Sequence, residues 1–551
     1  MEQSRLILAI ILSVAVLFSY PYLLKKLYPQ QEEKAVKEVP VSIKDTYKKV
    51  PEAVVGVDKK EAPAGVIPVE RELVPMEEEL VTVETPLYRA TLSSIGGGIK
   101  SWVLKGYGTK LDPESPNVDM APSIDRDYSF GTGLLGEGRK RILNFKPSQR
   151  ALNLSPAQSS TLSLVWVSPE GLKIEKRYTF SGSTYMVKGE VIIYNETGKP
   201  VREKITTNLA AYSLALKGRG AAGYNRGAVK YEMGGIERID ADEEEEIHKG
   251  RPQWIGVEDK YFLTVLIPST DGDIEWSSRP LENDVIRANL FLPVDLSPSA
   301  SYLFKYKAYI GPKEYKRLKA YNLNLERSIE FGKFGFMASP MLVVLTFFYR
   351  FIPNYGLAII LLTVVIKIAF YPLTKHSLKS MRDMQKIQPQ MAALKEKYKG
   401  DKQKMNTELM ELYKRQKINP LGGCLPMVLQ IPVFIALYEV LYVAIELRHA
   451  PFMLWIKDLS AADTLLRLPE ALPMLGGSAF GPLPLLMGAT MLIQQKMTPT
   501  AMDPAQAKMM MFMPIIFTFM FLSFPTGLVL YWLVNNILQI GQQYYIHKSA
   551  R

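Results

Sequence analysis

The segment from Tyr355 to Leu373, YGLAIILLTVVIKIAFYPL, carries a single charged side chain, Lys367. A helix needs about 20 consecutive, mostly apolar residues to cross the hydrocarbon core of a bilayer, and this segment has that length. Further apolar runs follow it toward the C-terminus, although the apolar fraction of the whole chain, 47%, looks ordinary. The concentration of apolar residues therefore predicts a helical membrane region over residues 337–551.

Five other apolar runs predict further spans, which makes six in all. They are Leu6–Leu24, Leu421–Ile445, Leu483–Ile493, Met509–Phe524 and Leu528–Ile540. The run at the N-terminus is longer than the apolar part of a usual signal peptide and is followed by Lys25 and Lys26 instead of small residues. It therefore predicts an uncleaved anchor over residues 1–28, with a cleaved signal peptide as the alternative.

A shorter apolar run, Ser339–Ile352, comes directly before Pro353 and Asn354. A run of this length is short for a crossing and suits a helix that lies in the plane of the membrane surface. We therefore predict an interfacial helix immediately before the span that contains Lys367.

The remaining sequence predicts two parts outside the membrane. Residues 29–79 are rich in Pro, Glu, Lys and Val without a sustained hydrophobic period, which predicts a flexible tether. Residues 80–336 contain short β-favouring runs such as TLSLVWV and LKIEKRYTF, bounded by turn residues, and these predict an antiparallel β-sandwich. The fold class is a multi-domain membrane protein, with an all-α polytopic core of six transmembrane helices, the N-terminal anchor included, and this sandwich.

The loop over residues 374–417 carries the strongest local charge in the chain. It holds twelve basic and five acidic residues, a net charge of +7, within a chain whose net charge is +12. Loops rich in Lys and Arg stay on the cytoplasmic side of a membrane. We therefore predict that this loop and both termini are cytoplasmic and that the β-sandwich is exported. Lys25 and Lys26 oppose this orientation, but the larger bias of the loop outweighs them.

Apolar residues recur at three- or four-residue steps within this loop, for example at Ile387, Met391 and Leu394. Gly400 suits a helix C-cap and Asp401 suits the N-cap of the next helix. The pattern predicts a two-helix hairpin with an apolar seam and basic faces, and a plain solvated connector is the alternative.

The sequence lacks the signatures of common catalytic sites. It has no H-E-x-x-H, G-x-S-x-G or P-loop pattern, one cysteine (Cys424) and four scattered histidines. The predicted spans contain no histidine that would serve as a base or a ligand. We therefore predict that the protein is not an enzyme and that it needs no cofactor and no metal ion.

Lys367 is the most informative residue within the spans. An ammonium that faces lipid near the centre of a bilayer costs about 2.5 to 3.5 kcal/mol, so this side chain should face protein or water. Snorkelling toward the cytoplasm is the alternative. Other polar side chains in the spans suit either helix-to-helix hydrogen bonds or the lining of a hydrated cavity. They are Thr363, Gln430, Gln494, Gln495, Asn535, Asn536 and Gln539.

Several stretches of the final third resemble the YidC-type membrane protein insertases of the YidC/Oxa/Alb family. These are YPLTKHSLKSMRDMQKIQPQM, INPLGGCLPMVLQIPVFIALYEVL and KMMMFMPIIFTFMFLSFPTGLVLYWLVNNILQIGQQ. The runs ETPLYRATLSSIGGGIKSW and YIGPKEYKRL are similar to the Gram-negative form, which has a large periplasmic domain. The resemblance implies a location in the bacterial inner membrane with the β-sandwich in the periplasm.

The same resemblance implies a core of five helices around a hydrophilic groove that is open to the cytoplasm and to lipid. Lys367 stands where the family usually has arginine, and Trp532 stands where it often has tyrosine. The predicted groove set consists of Lys367, Thr363, Gln430, Phe434, Met487, Tyr531, Trp532 and Asn535.

The implied function is to insert newly synthesised inner-membrane proteins and help them fold, alone or with the Sec translocon. The implied partners are nascent membrane proteins, the ribosome, the Sec translocon and the lipid bilayer, with no specific nucleic-acid sequence. The predicted contact for the ribosome or the nascent chain is a cluster of lysines in the basic loop, Lys395, Lys397, Lys399, Lys402 and Lys404. A secondary transporter that binds an anionic solute at Lys367 is the alternative, although the sequence shows no internal repeat.

Overall fold

The structure is a computed structural model of the 551-residue chain. It describes residues 69–70, 77–112, 114–122, 124, 126–136, 139–212, 227–232, 234–239, 247–269, 272–281, 285–416, 418, 425–467, 479–497 and 504–548. The predicted N-terminal anchor, Cys424 and most of the predicted tether lie outside the described residues. One strand, β1 (Val69–Glu70), falls inside the range predicted as tether and pairs in parallel with Lys140 and Arg141.

The described strands form three large sheets. The first has the order β1, β7 (Arg139–Ile142), β6 (Thr132–Gly136), β13 (Val201–Tyr212), β20 (Val285–Leu296), β19 (Ile274–Leu281) and β16 (His248–Gly250). The second has the order β15 (Gly235–Ile239), β14 (Gly227–Glu232), β17 (Trp254–Glu258), β18 (Phe262–Pro268), β21 (Ser301–Pro312), β12 (Met186–Asn195), β11 (Leu172–Ser181), β10 (Ser159–Val167) and β8 (Lys146–Pro147).

The third sheet has the order β5 (Asn117–Asp119), β4 (Ile99–Gly108), β3 (Tyr88–Ser93), β2 (Leu80–Glu84) and β9 (Ala151–Asn153). Strand pairing is antiparallel throughout the described residues except for β1 with β7 and β2 with β9. The prediction of a mostly antiparallel sandwich is therefore confirmed.

Strand β11 shows how the sequence pattern builds the core between the sheets. Its residues alternate between buried and half-buried, as expected for a strand with one face against a core. Leu172, Ile174, Tyr178 and Phe180 are buried on that face, and so is Lys176. The Lys176 ammonium donates to the carbonyl oxygens of residues 96, 97 and 130 at 3.1, 2.9 and 2.6 Å, so all three of its donors are satisfied.

A short linker leads from the sandwich to the helical region. It includes helix α1 (Tyr315–Ala320), and a buried lysine fixes its start. The Lys313 ammonium lies 2.6 Å from the Glu258 carboxylate and 3.2 Å from the carbonyl oxygen of Ser328. Arg238 lies 2.7 Å from the other oxygen of Glu258. The linker is therefore part of the folded sandwich.

The helical region consists of α2 (Gly335–Phe351), α3 (Tyr355–Lys386), α4 (Gln388–Lys397), α5 (Lys402–Arg415), α6 (Leu425–Val443), α7 (Pro482–Met497), α8 (Pro504–Phe521) and α9 (Thr526–Lys548). A small sheet of β22 (Leu466–Arg467) and β23 (Ala479–Phe480) lies between α6 and α7. Helix α9 packs along α7 and α3, and α2 packs against α3 and α6.

Among the described residues, two helical segments, Gly332–Phe351 and Tyr355–Lys386, are long and apolar enough to cross a membrane. The first segment includes nearly all of Ser339–Ile352, the run predicted to be too short for a crossing. That predicted length is wrong, because α2 begins at Gly335 and follows a short 3-10 turn. Its location at the membrane surface stays a prediction. Shorter apolar stretches, Gln430–Val443 and Met511–Phe521, lie in α6 and α8.

The basic loop forms the predicted hairpin, with two differences. Helix α3 continues without a break from the span to Lys386, so the first arm of the hairpin extends the membrane helix. The prediction for Asp401 is confirmed, because its carboxylate accepts a hydrogen bond from the Lys404 backbone N–H at 3.0 Å. The prediction for Gly400 is wrong, because α4 ends earlier, with Tyr398 as its C-cap, and Asp401 N–H bonds the Tyr398 carbonyl oxygen at 3.0 Å.

The loop after α6 contacts the sandwich directly. Glu446 is an acceptor for the backbone N–H of Tyr315, and Arg448 donates to the carbonyl oxygen of Gly108 at 2.8 Å. The Lys260 ammonium lies 3.6 Å from the centre of the Tyr442 ring. These contacts join the sandwich to the helical region at the start of α1 and at the end of α6.

Candidate functional site

The Lys367 side chain is directed into the helix bundle. Its ammonium donates a hydrogen bond of 2.7 Å to the side-chain oxygen of Gln539 on α9. Ile368, the next residue, is 68% exposed on the outer surface of α3. Lys367 lies about 18 Å along the helix from Tyr355, at 1.5 Å per residue. The ammonium is therefore held between α3 and α9 and is not extended along the outer surface of α3.

Further polar contacts hold α9 against both of its neighbours. On the α3 side, the Gln542 amide donates to the Thr374 hydroxyl at 2.9 Å. On the α7 side, the Asn536 amide donates to the Thr490 hydroxyl at 3.2 Å, and Gln543 donates to the Met497 carbonyl oxygen at 2.8 Å. Together with Lys367–Gln539, these contacts form a series that we call the polar ladder. Interhelical hydrogen bonds of this kind stabilise helix contacts where lipid removes the hydrophobic driving force.

Several predicted groove residues are buried between the helices. Thr363, Met487 and Tyr531 have no exposed surface, and Asn535 is 7% exposed. The Thr363 hydroxyl donates to the Ile359 carbonyl oxygen at 2.7 Å, so it is satisfied within its own helix. All four side chains are therefore buried in this arrangement and are closed to an incoming chain.

An aromatic cluster joins α6, α8 and α9. The rings of Phe434 and Trp532 meet edge to face with centroids 4.9 Å apart, and Phe521 lies 5.4 Å from Trp532. Phe517 stacks on Trp532 at 6.1 Å. Gln430 is half-buried one turn before Phe434 on α6. Of the predicted groove set, Phe434 and Trp532 are therefore in direct contact, and both keep partly exposed surface.

Helices α3 and α9 carry both fully buried and half-buried polar side chains. Thr363 and Tyr531 lie near the ends of α3 and α9 that adjoin the sandwich, and both are fully buried. Lys367, Gln539 and Gln542 lie farther along the same helices and are half-buried. The half-buried side chains of Lys367, Gln539 and Gln542 thus lie nearer the basic hairpin than Thr363 and Tyr531 do, next to the buried Thr374 and Gln543.

The basic hairpin has its own small apolar core, formed by Ile387, Met391 and Leu409. Around it, Lys397, Lys399 and Lys404 are exposed, Lys395 is half-buried, and Lys402 begins α5. Lys399 pairs with Glu396 at 3.3 Å, but both side chains are more than three-quarters exposed, so the pair contributes little to stability. The ammonium groups of Lys397, Lys399 and Lys404 are therefore accessible to an anionic partner.

The sequence shows the polar character of Gln539, Gln542, Gln543 and Thr374 but not their partners. A period of three or four residues on α9 places Asn536, Gln539 and Gln543 on one side of the helix, which is the signal that favours a polar seam. The choice of Gln539 as the acceptor for Lys367 depends on how α3 and α9 pack, which a single sequence does not specify.

The described residues contain no group of His, Cys, Asp or Glu side chains that could hold a metal ion. Lys367 has no ion pair with any described carboxylate. The site therefore offers one interior positive charge, neutral hydrogen-bonding side chains and an aromatic cluster.

Two family models together match most of the chain. The model described as 60Kd inner membrane protein matches residues 347–551, and the YidC periplasmic domain matches residues 80–344. A membrane protein insertase YidC from Pelobacter propionicus is 40% identical over 99% of each chain. Another from Geobacter sulfurreducens is 41% identical over 85% of this chain and 86% of its own.

Among solved structures, a crystal structure of an active YidC insertase with its first transmembrane domain resolved is 20% identical. It covers 87% of this chain and 95% of its own, with a TM-score of 0.36.

The sandwich, the helical region and the matched models define an inner-membrane protein with a periplasmic β-sandwich. The chain belongs to the YidC family of membrane protein insertases. The relatives do not support the alternative of a secondary transporter that binds an anionic solute.

Proposed function

We propose that the protein inserts newly synthesised inner-membrane proteins and helps them fold, through a groove that is open to the cytoplasm near Lys367. The observation that supports this most directly is an interior ammonium that hydrogen-bonds to a neutral amide and has no ion pair among the described residues. A positive charge in that position attracts the polar, often acidic, tail that a client must move across the membrane.

The energetics of insertion fit this groove without an external energy source. A polar tail is costly in hydrocarbon, and a hydrated, charged groove shortens the distance over which that cost applies. The apolar segment of the client then moves into lipid, where burial contributes roughly 25 cal/mol per Å². The groove therefore catalyses no covalent reaction in this proposal and uses no cofactor.

The buried residues have a separate role in the proposal. Thr363, Met487, Tyr531 and Asn535 close the periplasmic end of the bundle, whereas Lys367, Gln430, Phe434 and Trp532 face the client. The burial of the first group and the partial exposure of the second support this division. Phe434 and Trp532 would provide apolar contact to the membrane segment of the client, while the Lys367 ammonium attracts the polar tail.

We propose six transmembrane helices, with the N-terminal anchor over residues 1–28 and the other five being α3, α6, α7, α8 and α9. The tether over residues 29–79 and the sandwich over residues 80–336 are periplasmic, and the core over residues 337–551 presents its hairpin over residues 374–417 to the cytoplasm. The net charge of the hairpin, +7, supports this orientation.

The hairpin lysines are the proposed contact for the ribosome or the nascent chain, because exposed ammonium groups attract phosphate through a salt-sensitive interaction. The Sec translocon is the proposed partner for clients with large exported domains. The resemblance to the insertase family supports both partners.

The test of the groove is insertion into liposomes that contain the purified protein, with a single-span client whose exported tail is either acidic or neutral. Lys367→Gln should slow the acidic-tailed client and leave the neutral-tailed client close to the parent, because only the former gains from the charge. Equal rates for the two clients with the parent protein, and no change in the variant, would show that Lys367 has no role in insertion.

A further inference from the structure

The partner of Lys367 is chemically unusual for an interior ammonium. The side-chain oxygen of Gln539 accepts its hydrogen bond at 2.7 Å, and both side chains are half-buried. An ammonium has three donors, and the described residues supply a side-chain acceptor for one of them. The charge is therefore held in place without being neutralised.

A client carboxylate is a better acceptor than the amide it would meet. Hydrogen bonds between ionised partners are shorter and roughly twice as strong as neutral ones. A carboxylate that reaches Lys367 would therefore replace the Gln539 oxygen at a net gain, whereas a neutral tail would gain little from the same exchange. The Gln539 oxygen thus makes Lys367 selective: an acidic tail can displace it from the ammonium, whereas a neutral tail cannot.

We propose that Gln539 is the positioning residue for Lys367: it holds the ammonium inside the groove and yields it to a carboxylate in the exported tail of a client. This inference rests on the proposed function, because it assumes that Lys367 meets the client. Nothing covalent changes, since one hydrogen-bond acceptor replaces another on the same ammonium.

The polar ladder allows Gln539 to release Lys367 without a movement of helix α9. Asn536 and Gln543, on either side of Gln539 along α9, are hydrogen-bonded to Thr490 and Met497 of α7. Gln542 holds α9 to Thr374 of α3 at 2.9 Å. Because these contacts fix both helices without Gln539, its side chain can turn away from Lys367 while the helix stays in place. A functional group on a rigid element with supporting contacts is well suited to such a role.

The experiment compares variants in the full-length protein, in liposomes, at matched protein amounts. The readout is the ratio of the insertion rate of an acidic-tailed client to that of the same client with Asn and Gln in the tail. Gln539→Glu should lower this ratio by about tenfold, the effect of 1.36 kcal/mol, because a permanent Lys367–Glu ion pair removes the free charge. Its rate for the neutral client should stay within about twofold of the parent, a change below 0.5 kcal/mol.

A swapped variant separates pairing from folding. Lys367→Gln combined with Gln539→Lys keeps one ammonium and one amide between α3 and α9, so the ratio should return to within about twofold of the parent. A merely structural role for Gln539 predicts equal losses for both clients in Gln539→Glu and no rescue in the swap, and that result would overturn the inference.

Gln542→Glu is the matched control, because it makes the same chemical change three residues away, beside Thr374 instead of Lys367. It should leave the ratio near the parent value. An equal fall in this control would mean that any negative charge repels acidic tails, which contradicts a specific role for Gln539. An unchanged ratio in Lys367→Gln would instead contradict the proposed role of Lys367 in the groove. A lower ratio in Lys367→Gln with no change in Gln539→Glu would contradict the positioning role of Gln539 alone.

Discussion

The Glu446 carboxylate accepts a hydrogen bond of 3.0 Å from the backbone N–H of Tyr315. This contact joins the helical region to the linker that follows the β-sandwich. Burial, with a smaller contribution from nearby Glu314, raises the pKa of Glu446 to about 7, although the hydrogen bond from the Tyr315 N–H and the charge of Lys316 oppose the shift. The second oxygen of Glu446 has no hydrogen-bond partner among the described residues. The docked arrangement therefore favours the protonated acid.

This relationship predicts that docking of the sandwich weakens as pH rises. A carboxyl whose pKa is raised on folding binds its proton more tightly in the folded state, so the penalty is absent below about pH 4.5 and fully present above about pH 7. Its upper limit is on the order of 3 kcal/mol, at 1.36 kcal/mol per pKa unit.

Glu446→Gln should therefore raise the melting temperature of the full-length protein at pH 8 and leave it unchanged at pH 4.5. The amide keeps the acceptor for Tyr315 but does not ionise. Thermal unfolding in detergent at both pH values measures this difference, with Glu196→Gln, at an exposed position of the sandwich, as the acidic control. A gain of equal size at both pH values would contradict an ionisation penalty at Glu446.

The buried pair of Lys313 and Glu258 gives a prediction about stability. Their side chains are 4% and 3% exposed, and the charged atoms lie 2.6 Å apart. Loss of one partner from a buried pair costs about 3 to 5 kcal/mol, because the other charge stays buried. Lys313→Met should lower the melting temperature of the sandwich on the order of 10 °C for a domain of this size.

The matched control for this pair is Arg202→Met, which breaks an exposed pair with Asp295 at 3.0 Å. Because exposed pairs contribute less than about 1 kcal/mol, the control should unfold close to the parent temperature. Thermal unfolding followed by circular dichroism at the β-sheet signal measures both variants. Similar melting temperatures for Lys313→Met and Arg202→Met would mean that Arg238 alone compensates the Glu258 carboxylate.

The sequence predicts the repeating parts of the fold well, because they depend on local patterns. The alternation in LKIEKRYTF gives strand β11 with its apolar residues inward. The apolar runs that begin at Tyr355 and Leu528 fall within helices α3 and α9, and the run that begins at Met509 extends three residues past the end of α8. Asp401 is found at the predicted helix start because N-capping needs only its neighbour three residues away.

The sequence does not predict the contacts that join distant segments. The acceptor of Lys367 lies 172 residues away, and that of Tyr315 lies 131 residues away. Neither partner is specified by a period or a cap. The buried state of Met487 and Tyr531 is likewise a result of helix packing, whereas the resemblance to the family placed them on the side of the groove that meets the substrate.

The proposed topology predicts a clear difference in protease sensitivity. In spheroplasts, protease added from outside should remove the β-sandwich and leave the hairpin over residues 374–417 intact. In inverted membrane vesicles the pattern should reverse, because the hairpin then faces the protease. Immunoblotting with antibodies against each part measures both fragments, and a soluble cytoplasmic protein serves as the control for intact cells. Cleavage of the hairpin in intact spheroplasts would contradict the proposed orientation.

The last prediction concerns the lysine cluster of the hairpin. Replacement of Lys395, Lys397, Lys399, Lys402 and Lys404 by Gln removes five positive charges without touching the apolar seam of Ile387, Met391 and Leu409. Because attraction between exposed charges is screened over about 10 Å at 0.1 M salt, ribosome binding should weaken in the variant and become less sensitive to salt. Co-sedimentation of ribosomes with protein in nanodiscs, over a series of salt concentrations, measures both effects.

The control for this variant removes the same charge from the sandwich, where Lys146, Lys188, Lys199, Lys249 and Lys307 are exposed. A difference between the two variants isolates the position of the charge from the total charge. The sandwich variant keeps the five hairpin lysines. If it binds ribosomes no better than the hairpin variant at every salt concentration, these lysines do not contribute to binding and the hairpin acts as a connector.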